Sequence, residues 1–284
     1  YPINIKAEAV QGIKAYPTVA DVPGSIDCAV IAVPAKAVPD TIRQCGEKGV
    51  GGAVVITAGF KEAGPEGLKL EQEMKAVAEE YGIRILGPNC LGYARPPLHI
   101  NTTFSNERAG PGRVAFISQS GALGTAILDW AKANNIGFSA FVSAGSMTDV
   151  DFGDMIDYFG KDPYTSSIIM YIESIQDARS FMSAARHFSK QKPIIVVKSG
   201  RTARSAMAAA SHTGALAGDD TLYSAIFRRA GVVRVDSISD LFDSAESLSR
   251  VNNPKGKHLG IITNAGGPGV MASDRLIALG GELS

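Results

Sequence analysis

At 284 residues, with hydrophobic residues at 45% and charged residues at 20%, the chain has room for about two globular domains and a sizeable core. Lys+Arg and Asp+Glu are equal at 28 each, which excludes a polybasic nucleic-acid footprint or membrane anchor and leaves any anionic ligand to be held by local geometry. Cys28, Cys45 and Cys90 are odd in number and widely spaced, excluding a disulfide framework or a Cys-x-x-Cys metal site and pointing to a reducing, cytoplasmic setting, and no apolar run reaches the ~18 residues of a membrane span.

Read from Tyr1, short β-branched runs alternate with longer segments of helical period, the pattern of βαβ units around parallel sheets. The chain opens directly on a strand-like stretch, Tyr1-Pro2-Ile3-Asn4, with no basic leader, as if begun inside a unit. Strands are predicted at Cys28 to Val33, Ala53 to Thr57 and Arg84 to Leu86, with helices at Ala37 to Lys48 and Pro65 to Tyr81. Residues 1–96 thus form a partial doubly wound unit, closed by the turn-rich Ala94-Arg95-Pro96-Pro97. Residues 97–252 form a fuller unit, with strands at Arg113 to Ile117, Ser167 to Ile172 and Pro193 to Val197. Its helices are predicted at Ala122 to Ala133, Val150 to Phe159, Asp177 to Ser189, Asp220 to Ala230 and Ile238 to Ser249. After the polar linker Asn252 to Lys257, residues 255–284 start a third unit, with a strand at His258 to Thr263 and a helix at Pro268 to Leu279.

In open parallel sheets ligands bind beyond the carboxyl ends of the strands, so the residues after each strand carry the chemistry. Ser118-Gln119-Ser120-Gly121 lies between a strand and the helix from Ala122, where hydroxyls and backbone N–H groups converge as a phosphate site. An ordinary serine N-cap explains the same segment. Asn264-Ala265-Gly266-Gly267-Pro268-Gly269 repeats the layout, as a second anion-holding helix start or a tight turn.

His212 sits in a stretch from Ser199 to Asp219, about 20 residues rich in Ala and Gly, the composition of an exposed functional loop. A neutral imidazole is a competent nucleophile at phosphorus, and a carboxylate on its other nitrogen fixes its tautomer. Glu173 is the candidate partner, because it ends one strand while His212 follows the neighbouring one, placing both at one sheet rim. The plainer reading of Glu173 is a helix-start carboxylate worth about 0.3–1 kcal/mol. His99, His187 and His258 read as a loop residue, a polar helix face and a strand start.

Rival motifs are absent from the sequence: there is no Gly-x-x-x-x-Gly-Lys-Ser/Thr phosphate loop, no His-x-x-x-His pair and no Gly-x-Gly-x-x-Gly after a strand. Ser120 also lacks the glycine two residues earlier that a nucleophile elbow requires.

Five segments in order carry a resemblance over essentially the whole chain. Gly87-Pro88-Asn89-Cys90-Leu91-Gly92, Ser118 to Gly124, Tyr171-Ile172-Glu173, Ser211 to Gly218 and Asn264 to Gly269 resemble the NDP-forming acyl-CoA synthetases, relatives of succinyl-CoA synthetase. The resemblance implies a Rossmann-like CoA-binding domain, a flavodoxin-like domain with a phosphohistidine, and the start of a second flavodoxin-like domain. His212 matches the phosphohistidine and Glu173 its orienting glutamate. Ser118, Gln119, Ser120 and Gly121, with Asn264, Gly266 and Gly267, match the two helix starts that hold phosphate. Lys6, Val33, Pro34, Thr57, Ala58 and Asn89 fall in segments matching the CoA-contacting loops. The implied cofactors are CoA and ATP or ADP with Mg2+, the nucleotide being loaded by an ATP-grasp domain or subunit that this chain lacks. The chain alone is therefore expected to be inactive in the full reaction and, without the family's first Gly-rich βα turn before Tyr1, to bind CoA weakly. Gly145-Ser146-Met147-Thr148-Asp149 departs from the family's Gly-Asn-x-Ala-Asp. A close branch carries a fused protein-lysine acetyltransferase domain and often lacks the histidine. A CoA-responsive regulatory module is thus the alternative reading, and the presence of His212 favours the synthetase.

Overall fold

The alternation of β-branched runs with amphipathic segments yields a mostly parallel α/β architecture, as the sequence predicts. The computed structural model describes residues 1–202, 219–250 and 256–284, the side chains of 248–250 excepted. These residues divide into two compact units, Tyr1–Ala245 and Glu246–Ser284.

The first unit begins with a small antiparallel hairpin, β1 (Ala9–Val10) and β2 (Ile13–Lys14). A parallel three-stranded sheet follows in the order β3 (Cys28–Ile31), β4 (Gly52–Val55) and β5 (Arg84–Leu86). Helices α1 (Val38–Glu47) and α2 (Pro65–Tyr81) cover one face of it. Val38, Ile42 and Cys45 of α1 recur at helical spacing and are fully buried against Ile31, Val55, Ile85 and Met74. Each such side chain contributes about 1.5–3 kcal/mol relative to exposure.

The larger sheet contains β6 (Gly92–Arg95), β7 (Ile100–Asn101), β8 (Pro111–Ser118), β9 (Phe138–Ser143), β10 (Ser167–Ile172), β11 (Ile194–Lys198) and β12 (Val233–Val235), in the order β12-β11-β10-β8-β9-β6-β7. Its neighbours are parallel except at one edge, where β6 runs antiparallel to β9 and β7. The two-residue period of the strands sorts side chains to opposite faces. Ile168, Met170 and Ile172 of β10 join the core under α4 (Phe152–Lys161), α5 (Ala178–Phe188) and the helix Asp220–Ala230. Ile169 instead joins the core under α3 (Gly121–Ala133) and the helix Ile238–Arg250.

Among the strands that the sequence-based reading did not predict, two lie in the interior of the larger sheet. Phe138–Ser143 was not predicted, because Ser139 and Ser143 break its apolar run, yet all six of its residues are buried. Helix α3 approaches the strand closely through its own glycine: a Cβ at Gly124 would come within 2.8 Å of the Phe141 ring. Gly92–Arg95, which the expected boundary at residue 96 places in the first segment, pairs with β9 in the larger sheet. Arg95 is buried there, and its Nη2 donates to both oxygens of Asp162 at 3.0 Å.

In the second unit, β13 (His258–Leu259) runs parallel to β14 (Glu282–Leu283) around the helix Gly266–Ala278, which buries no residue. Among the described residues no helix is long and apolar enough to cross a membrane.

Candidate functional site

The loops after β3, β4 and β5 are tied in series. Thr57 Oγ1 donates to the Val33 carbonyl at 2.7 Å, and Asn89 N donates to the Thr57 carbonyl at 2.9 Å. Val33, Thr57 and Asn89 are thereby drawn to one sheet edge, with Pro34 exposed beside them. Lys6 is exposed, and no described hydrogen bond or ion pair joins its side chain to these loops.

At the end of β8 the hydroxyl of Ser118, fully buried, donates to Ser120 O at 2.8 Å and accepts from Ser120 N at 3.2 Å. Ser120 Oγ then caps α3 by accepting from Leu123 N at 3.3 Å. Ser120 is thus an N-cap, and Gly121 and Ala122 carry N–H groups that a helix start leaves without intrahelical partners. Gln119 has a different place. Its main-chain N–H donates to Tyr171 O, and its buried side chain faces the turn after β10.

A cleft of about 440 Å3 joins these two regions, with Ala58, Asn89 and Cys90 on one side and Gln119, Ser120, Gly121 and Ala122 on the other. Its floor is fixed by close backbone approach. Gly145 has φ +60°, and a Cβ there would lie 2.3 Å from the Pro88 carbonyl oxygen. Ser146 N donates to Pro88 O at 2.8 Å, and Leu91 N donates to Ser143 Oγ at 2.9 Å. Cys90 Sγ donates to Val55 O at 3.4 Å, and burial pushes its thiol up to about 11.

Glu173 ends β10 in a buried position, five residues before α5 begins at Ala178. The helix start at Ala178 is capped by Asp177, so a helix-start carboxylate role falls to Asp177 instead of Glu173. Burial raises the Tyr171 phenol, and Glu173 adds to that rise while a hydrogen bond with Ser199 opposes it. At the end of β11, burial lowers the Lys198 ammonium; Asp220 and Glu173 oppose this and Arg234 reinforces it. Lys198 Nζ sits 4.5 Å from the Tyr223 ring centroid. Charge of both signs is thus gathered at the rim that follows β10 and β11. His212 lies outside the described residues.

In the second unit, Thr263 Oγ1 donates to Ala265 O at 2.9 Å and accepts from Ala265 N at 3.1 Å, ahead of the helix Gly266–Ala278. Asn264, Gly266 and Gly267 are exposed there. Among the other histidines, His99 follows a short 3-10 turn with φ 56°, His187 lies against Phe188 in the last turn of α5, and His258 is 3.6 Å from Glu282.

Sequence reasoning missed the residues that brace the cleft. Lys61 Nζ and Gln176 Nε2 both donate to the Ser146 carbonyl at 2.8 Å. Thr148 Oγ1 donates to the buried Glu71, and Arg84 pairs with Asp149. Gln176 could have been found by its position three residues past Glu173, whereas Lys61 sits on a 3-10 turn with no motif around it. Phe104 and Thr125 also line the cleft without any sequence signal.

Residues 1–96 match the family model of a CoA binding domain, and residues 111–248 that of a succinyl-CoA ligase like flavodoxin domain. The alpha subunit of acetate-CoA ligase [ADP-forming] I from Pyrococcus furiosus is 47% identical over 278 residues, covering 96% of this chain and 60% of its own. Acetate-CoA ligase [ADP-forming] from Methanocaldococcus jannaschii is 46% identical over 284 residues, covering 100% of this chain and 40% of its own. A solved structure of dinucleotide forming acetyl-coenzyme A synthetase 1 from Ca. Korarchaeum cryptofilum, in complex with phosphate and ADP, superposes with a TM-score of 0.94 at 45% identity, covering 100% of this chain and 61% of that one. The chain thus spans between 40% and 61% of the length of these relatives.

Proposed function

The chain belongs to the NDP-forming acyl-CoA synthetase family, and from that membership we propose that it supplies the CoA-handling and phosphohistidine part of an ADP-forming acetate-CoA ligase type of enzyme. In this reading the nucleoside triphosphate, with Mg2+ and an ATP-grasp domain or subunit, transfers its terminal phosphoryl group to His212. The carboxylate of the acid then takes that group to give an acyl phosphate, and the CoA thiolate displaces inorganic phosphate to give acyl-CoA.

One observation carries the reading. The cleft of about 440 Å3 sets the Ala58 and Asn89 loops opposite the Ser120-Gly121-Ala122 helix start, so a thiol approaching from one side meets an acyl phosphate held on the other. An exposed helix start contributes about 0.3–1 kcal/mol toward an anion, and about 2 when partly buried. Glu173, buried, and Gly121, half-buried, are the groups on the phosphate side, and Asn264, Gly266 and Gly267 are a separate candidate helix start for phosphate in the second unit. Val33, Pro34, Thr57 and Asn89 serve CoA, joined by Lys6. Three cysteines without a disulfide among them agree with a reducing, cytoplasmic location. Nothing in the comparisons favours the regulatory alternative.

The test is to incubate the chain, assembled with its nucleotide-loading partner, with labelled ATP and Mg2+. His212 gains an acid-labile, base-stable phosphate, and His212→Asn abolishes labelling and turnover while CoA binding is kept. Undiminished acyl-CoA formation by His212→Asn defeats the proposal.

A further inference from the structure

We infer that Gln119 is a positioning residue that sets the Glu173 turn against the start of α3, instead of a direct phosphate ligand. The inference rests on the functional reading above. Gln119 is 7% exposed, and its side-chain amide reaches across 54 residues of sequence. Its Oε1 accepts from Glu173 N at 2.9 Å and from Ser174 N at 3.0 Å, and its Nε2 donates to Ser174 Oγ at 3.2 Å. Its own N–H donates to Tyr171 O at 3.2 Å.

These bonds fill both acceptor sites of Oε1 and commit one Nε2 hydrogen to Ser174 Oγ, while the main-chain N–H is spent on Tyr171 O, so the amide is oriented toward the turn. The rest of that turn is held in the same manner. Ile175 N donates to the Tyr223 hydroxyl at 3.3 Å, and Gln176 Nε2 reaches the Ser146 carbonyl. Gln119 differs from these because it directly precedes Ser120, the cap of α3. Gln119 thereby joins the start of α3 directly to the turn that carries Glu173. Two buried N–H groups would lose their acceptor if it were removed, and the turn would move to find another.

The test uses the assembled enzyme and the labelling of His212 by ATP. Wild-type labelling at His212 tests the functional reading, and the Gln119 variants test this one only where that control succeeds. Gln119→Met keeps length and removes the acceptor. It lowers the maximal rate of labelling by about 10- to 100-fold, with the KM for ATP and the affinity for CoA unchanged. Gln119→Glu keeps an oxygen in front of both N–H groups and labels faster than Gln119→Met. Labelling by Gln119→Met at the wild-type rate, or a rise in KM with the maximal rate unchanged, overturns the inference. So does a Gln119→Glu protein no faster than Gln119→Met. If Gln119→Met does not fold, Gln119→Glu decides: labelling above one tenth of the wild-type rate supports the positioning role, and a slower rate overturns it.

Discussion

Two strand–turn–helix ends in this molecule are built on one local rule and differ in everything around it. At Ser118-Gln119-Ser120 and at Thr263-Asn264-Ala265, a hydroxyl bridges the N–H and the carbonyl of the residue two positions on, and a helix follows. The first closes an eight-residue strand within a seven-stranded sheet, with Ser118 fully buried and Ser120 supplying a side-chain cap. The second follows a two-residue strand, has Ala265 at its cap with no side-chain bond, and is exposed at Asn264, Gly266 and Gly267. A serine or threonine turn is thus a local device, while rigidity comes from the sheet and core behind it.

The largest expected effect tests each helix start by itself as an anion holder. Ala122→Asp places a carboxylate at the second position of α3, where it favours the helix dipole by about 0.3–1 kcal/mol yet occupies the anion's place. Labelling of His212 should fall by about 100-fold or more while the melting temperature holds or rises. Gly267→Asp is the equivalent change in the second unit, where an added Cβ meets nothing within 4 Å. An equal loss of labelling would show two working helix starts; an unchanged rate would leave the first acting alone.

Next in size is the hydroxyl itself. Ser118→Ala removes the acceptor of Ser120 N in a buried setting and should cost about 1–3 kcal/mol. Trp130 on α3, the chain's one tryptophan, packs 4.8 Å from Phe242 and reports the transition in urea. Thr263→Ala, at an exposed site, should shift that transition by no more than about 0.5 kcal/mol. Equal shifts would break the contrast between the two ends.

The caps give a smaller difference. Ser120→Ala should destabilise by about 1 kcal/mol, and Ala265→Ser should add protection from amide exchange at the start of the second helix without moving the Trp130 transition.

Thiol chemistry gives the smallest effect and sharpens the picture of the first unit alone, since all three cysteines lie there. Burial pushes Cys45 and Cys90 up to about 11, and Cys28, also raised but exposed, is open to reagent. At pH 8, iodoacetamide should modify Cys28 first and reach the other two only with urea, as counted by mass. Rapid labelling of Cys90 in the folded protein would show the cleft floor to be looser than its packing indicates.

Much of this organisation was legible in the sequence. The predicted strands at Arg84 to Leu86 and Ser167 to Ile172, and the helices at Pro65 to Tyr81 and Asp220 to Ala230, coincide with the observed elements, because β-branched runs and 3.6-residue periods declare themselves locally. The loops after β3 and β4, and the serine turn after β8, were legible for the same reason: a strand followed by small polar residues is a local pattern. Tertiary structure decided the rest. Only the sheet order makes β9 a buried central strand and sends Gly92–Arg95 to the larger sheet, since a short strand without a continuous apolar run does not encode its partner. Only folding brings Gln119 beneath Glu173, and Lys61 and Gln176 onto the one carbonyl of Ser146. The sequence by itself marked the turns after the strands as the candidate positions for chemistry, through propensity and spacing. The long-range hydrogen bonds that fix their distances join a particular side chain to a backbone atom of a distant residue, and only the fold decides which backbone atom it meets.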